Sequence, residues 1–163
     1  MGGIVGDRGF RRGSGPASVS NSSPPRLGIT TKLAFGSVIW LEYVRVIREV
    51  HRTSLPQLVQ RLQDQPHHIP LPRIDPLRLG CIVSRTLRRP PFRPRCLTMS
   101  LVHFRLLTRQ GTGAQLIVGL PPEPSSHEAH AWVEVGGLDV GPPPGRMGHE
   151  EMARYGRVDP SKP

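Results

Sequence analysis

Apolar side chains recur along this chain first at helical and then at strand spacing. From Thr31 onward, Ile39, Tyr43, Val46, Ile47 and Val50 share one side of a helix, with Glu42, Arg45, Arg48 and Glu49 on the other. The apolar stretch from Leu33 to Leu41 falls well short of the roughly 20 residues that a membrane span needs. Ser54-Leu55-Pro56-Gln57 resembles a capping box, and Leu55, Leu58, Val59 and Leu62 predict a second helix ending near Gln65. Asp75-Pro76 starts a third helix towards Arg89, with Leu79, Ile82, Val83 and Leu87 on its apolar side and Cys81 opposite, near Arg85 and Arg88.

Pro90, Pro91 and Pro94 then break the helical pattern before Cys96. Leu97, Leu101, Phe104 and either Leu107 or Thr108 predict a fourth helix that Gly111 stops. Strand spacing takes over afterwards. Ala114 to Gly119 is a short apolar strand, and Ala129 to Val135 alternates, with Ala131, Val133 and Val135 on one face and His130, Trp132 and Glu134 on the other. Gly136-Gly137 is a hairpin turn, and Leu138-Asp139-Val140 begins a returning strand. A helix followed by three strands is the expected core, an α+β arrangement preceded by helices.

Residues 1–28 are rich in Gly, Ser and Pro and are expected to be disordered, because they cannot bury enough surface to offset the entropy of ordering. The division that follows is a tail at 1–28, a helical region at 29–91, a core at 92–157 and a C-terminal tail at 158–163. With 163 residues, 36% of them apolar, the chain can build one small core. The formal charge of +10 favours an acidic partner without selecting among nucleic acid, anionic membrane and acidic peptide. The arginines between Arg78 and Arg95 read either as a solvated face or as a docking surface for such a partner.

Arg8, Arg11 and Arg12 precede Gly, Ser and Pro, where an export signal needs an apolar core. A cytoplasmic location with reduced thiols is therefore expected, which leaves Cys96 free for chemistry. Cys96 falls in the first turn of its helix, where unpaired N–H groups and the helix dipole favour negative charge. A thiol there, followed by a histidine on a later strand, is the order that papain-like and transglutaminase-like cysteine enzymes use. Metal binding is the weaker reading. His67 and His68 have no third ligand nearby, and His127-Glu128-Ala129-His130 lacks the helical spacing of a zincin, so no metal or cofactor is expected.

The block from Phe92 to Leu101 around Cys96, the Leu106-Leu107…Gly111 helix end, Leu116 to Gly119, and Ala129-His130-Ala131-Trp132-Val133-Glu134-Val135 together resemble the lasso-peptide leader peptidases. The resemblance covers about Leu33 to Tyr155 and is strongest from Phe92 to Val135. It implies a transglutaminase-like (papain-like) core, with Cys96 as nucleophile, His130 as general base and Asp139 as the candidate acid that orients the imidazole. Glu134 is the alternative acid, although four residues, about 13 Å along a strand, place it too far from the ring. The implied reaction is removal of the leader from a ribosomally made lasso-peptide precursor through an acyl-enzyme. The implied partners are the precursor peptide, a separate leader-recognition protein and an asparagine-synthetase-like lasso cyclase. The chain departs from its relatives at His127 and Glu128, where apolar or aromatic residues are common, and at Met99, where a basic residue is.

Two other classes of function remain open at this stage. A small basic nucleic-acid or partner-binding protein fits the charge, yet zinc-finger and RNA-binding aromatic motifs are missing, so no nucleic acid is expected as partner. A transglutaminase-like amide transferase keeps the fold and changes the acceptor.

Overall fold

The computed structural model describes residues 29–65, 72–89, 94–122 and 129–157. Four helices, α1 (Ile29–Val50), α2 (Leu55–Asp64), α3 (Pro76–Leu87) and α4 (Cys96–Arg109), precede four strands, β1 (Ala114–Leu120), β2 (His130–Val135), β3 (Leu138–Gly141) and β4 (Glu150–Tyr155). The strands form one antiparallel sheet in the order β3-β2-β1-β4. The α+β class read from the sequence is the observed one. The expected tails, His67, His68, His127, Glu128 and the prolines at 90 and 91 lie outside the described residues.

Helix α4 is the centre of the molecule. Every residue from Thr98 to Leu107 is buried, so no face of the helix is left for solvent. Its apolar residues join a cluster that runs from Phe35 on α1 through Leu58, Val59 and Leu62 on α2 and Leu79, Val83 and Leu87 on α3 to Leu116, Val133 and Val140 in the sheet. The helix ends as its glycine predicts: Gly111 has φ +71°, Gly111 N–H donates to the Thr108 carbonyl at 3.0 Å, and Thr112 N–H reaches back to Leu107 at 3.0 Å.

A helix buried on every side must satisfy its polar groups internally, and four polar side chains on α4 bind neighbouring elements. Ser100 Oγ donates to the Ala131 carbonyl of β2 at 2.7 Å. His103 Nε2 lies 3.1 Å from the Pro76 carbonyl at the start of α3. Arg105 donates to the Leu62 carbonyl and, at 3.3 Å, to that of Gln65, satisfying carbonyls that α2 leaves open at its C-terminus. Arg109 donates to Glu42 Oε1 of α1 at 2.7 Å.

The last contact corrects the sequence reading of α1. Glu42 was expected on the polar side, but it is buried because Arg105 and Arg109 of α4 draw its carboxylate inward. At the start of α2 the Ser54 side chain forms no cap hydrogen bond. Pro56 lacks an N–H, so one of the usual capping targets is missing. Asp75 does cap α3, accepting from Arg78 N–H at 3.0 Å.

The sheet follows the expected order, with one strand more. Gly136 and Gly137, at φ 58° and 79°, form the tight turn between β2 and β3. On β1, Gly119 admits the ring of Trp132, which an added Cβ would approach within 2.8 Å. Strand β4 was not anticipated. Its residues alternate little and are mostly exposed, as suits a charged edge strand that Arg154 anchors to Glu134 on β2 at 2.9 Å.

Two predictions concern stability. Glu42→Ala leaves two buried guanidinium groups without their carboxylate and should destabilise the protein by about 3 kcal/mol in urea denaturation. For His103, burial lowers the pKa from 6.5 to about 4, partly opposed by the Gly141 and Pro76 main chain and by Asp139. The unfolded chain therefore binds an extra proton within that window. The stability that depends on neutral His103 is complete above about 6.5 and is lost as the pH falls towards about 4, a loss on the order of 3 kcal/mol. Denaturation of the wild type and of His103→Gln across this range should show the dependence flattened in the variant.

Candidate functional site

Two side chain to main chain contacts set the register of α4 against β2. Cys96 Sγ donates to the Ala129 carbonyl at 3.7 Å, and one turn along, Ser100 Oγ donates to that of Ala131. Four residues of helix advance about 6 Å and two residues of strand about 6.6 Å, so helix and strand keep step in the same direction. His130 lies between the two contacted carbonyls. Thiol and imidazole consequently line one recess of about 30 Å³ with Arg88, Met99 and Pro142 to Pro144.

Cys96 is the first residue of α4, and the N-cap residue, Arg95, provides no side-chain cap. The first-turn N–H groups beside the thiol are therefore not taken up by a capping side chain, and such groups attract negative charge. Both cysteines are free, Cys81 exposed and Cys96 half-buried.

His130 is half-buried, and its Nε2 is shielded from water without a hydrogen-bond partner among the described residues. Its pKa is lowered, mainly by desolvation and next by the charge of His149, with Arg88 acting in the same direction. The Gly145 main chain and the charge of Asp139 oppose the shift. The His149 ring lies 5.2 Å from that of His130, tilted by 40°. Sequence reasoning missed His149, and the Gly- and Pro-rich stretch from 141 to 148 carries no periodicity that would have singled it out.

Asp139 stands on β3, paired in register with Glu134. Its carboxylate accepts from Gly141 N–H at 2.8 Å and from Arg146 N–H at 2.6 Å, which pins both ends of the loop after β3. Within that loop, Gly145 passes so close to the carboxylate that a Cβ would come within 2.4 Å of Oδ2. Asp139 thus holds the segment whose main chain acts electrostatically on His130. Glu134, the alternative acid, is engaged elsewhere: it accepts from Trp132 Nε1 at 2.9 Å and pairs with Arg154. Trp132 itself is fully buried and does not line the recess.

Arg88, at the end of α3, donates to the Pro143 carbonyl at 2.7 Å and so ties that helix to the wall of the recess. Among the described residues no group of three His, Cys, Asp or Glu side chains is placed to hold a metal ion, and no helix is long and apolar enough to cross a membrane.

The electrostatics yield a direct test. Replacing His149 with Gln removes a positive neighbour and should move the titration of His130 up towards the ordinary imidazole range, read from histidine ring signals by NMR. An unmoved midpoint would detach His149 from the site.

Comparison with known proteins gives one family. A family model described as transglutaminase-like superfamily matches residues 39–154, from α1 to β4. No curated protein and no solved structure matches the chain.

Proposed function

The chain belongs to the transglutaminase-like superfamily, and from that premise we propose that it is a cysteine peptidase removing the leader from a ribosomally made lasso-peptide precursor. The observation that carries the proposal is the shared recess of Cys96, at the start of α4, and His130, at the start of β2. Cys96 is the nucleophile, His130 the general base, and Asp139 acts through the loop that it pins rather than by touching the ring.

A lowered pKa keeps His130 neutral near pH 7, the form that accepts the thiol proton as sulfur attacks the scissile carbonyl. First-turn N–H groups of α4 stabilise the oxyanion. The imidazolium then returns its proton to the leaving amine, which departs as the new N-terminus of the core peptide, while the leader stays on sulfur as a thioester. Water, deprotonated by His130, attacks the thioester, releasing the leader carboxylate and restoring the thiol. By the same resemblance, a separate leader-recognition protein delivers the precursor, and an asparagine-synthetase-like cyclase receives the core peptide.

Incubation with a candidate precursor and its leader-binding protein, followed by mass spectrometry, tests the proposal. Release of the leader should fall by at least about 10³-fold in Cys96→Ala and by about 10²- to 10⁴-fold in His130→Ala. Cleavage that survives the cysteine substitution rejects the nucleophile.

A further inference from the structure

Away from the recess, α1 and α3 enclose a groove of about 820 Å³. Phe35 and Trp40 of α1 and Ile82 of α3 supply its apolar surface, and Arg78, Arg85 and Arg89 line it with cations. All three arginines are exposed, and no ion pair among the described residues uses them. Arg78 and Arg85 lie seven residues apart, which keeps them on one side of α3 about 10 Å from each other, and Arg89 extends the row just past the end of the helix.

We propose that this groove binds an acidic peptide segment anchored by apolar side chains. On the peptidase reading given above, on which this identification rests, the segment is the part of the leader just upstream of the scissile bond. Two observations favour that occupant. The first is charge: a row of unpaired guanidinium groups over an aromatic and aliphatic floor complements a segment that alternates carboxylates with apolar residues. The chain's own first 28 residues do not fit, since they carry four arginines against one aspartate. The second is continuity. Arg89 lines the groove, whereas the adjacent Arg88 lines the recess with Cys96 and His130. The end of α3 thus borders both the groove and the recess that holds the thiol.

Cys81 also lines the groove and is exposed, so it serves as a reporter. In full-length Cys96→Ala protein, Cys81 is the one remaining thiol. Its alkylation by a maleimide is followed with a synthetic peptide of about twelve residues that alternates glutamate and leucine around one tyrosine. The peptide should slow alkylation, and Arg85→Glu/Arg89→Glu should weaken its binding by about tenfold or more, with circular dichroism confirming that the variant is folded. Neither readout requires cleavage, so failure of the peptidase proposal leaves this test standing.

Several results would overturn the docking proposal: no protection of Cys81, equal protection by a peptide with lysine in place of glutamate, or binding indifferent to the double reversal. Protection by a short single-stranded DNA as strong as by the peptide would assign the groove to polyanions instead. Protection that rises with protein concentration alone would assign it to a second copy, and a thiol already protected in the isolated protein would assign it to the chain's own tail.

Discussion

Burial of α4 on every side is the constraint from which the rest of the structure follows. A helix with no solvent face can keep polar residues only if neighbouring elements answer them. Here Glu42, the C-terminal carbonyls of α2, the first turn of α3 and the main chain of β2 answer four of them. The apolar contacts hold the layers together, and the polar contacts fix how they are rotated and slid against one another. The position of Cys96 relative to His130 is one result of that fixing.

Much of this was legible in the sequence because local rules agreed with tertiary demands. Asp75-Pro76 started a helix, Gly111 stopped one, Gly136-Gly137 turned a hairpin, and the Cys96 and His130 segments fell on the helix and strand expected of them. What escaped was set by contacts between distant parts of the chain. Glu42 looked solvent-facing because its arginine partners lie more than sixty positions away, and a hydrophobic pattern records only a residue's own polarity. Strand β4 has charged residues where an alternating pattern would have betrayed it, since an edge strand is shielded by charge rather than by burial. His149 depends on the path of a loop with no period to read.

The surroundings of the recess favour an uncharged imidazole. Desolvation, His149 and Arg88 all act against a proton on His130, and Asp139 is held close enough to be felt but has its oxygens committed to main-chain N–H groups. The carboxylate shapes the loop, and the loop's main chain bears on the ring electrostatically. Glu134, read at first as the alternative acid of the site, belongs elsewhere in the molecule, to the join between β2 and β4.

The thiol and the imidazole reside on separate secondary-structure elements, joined by a connection that includes the whole of β1. Neither element by itself brings them together. A nascent or partly unfolded chain with its helices already formed would hold a cysteine with no histidine beside it, and the pair exists only once the helix has docked on the sheet. On the proposed peptidase function, reactivity is therefore gated by completion of the tertiary structure.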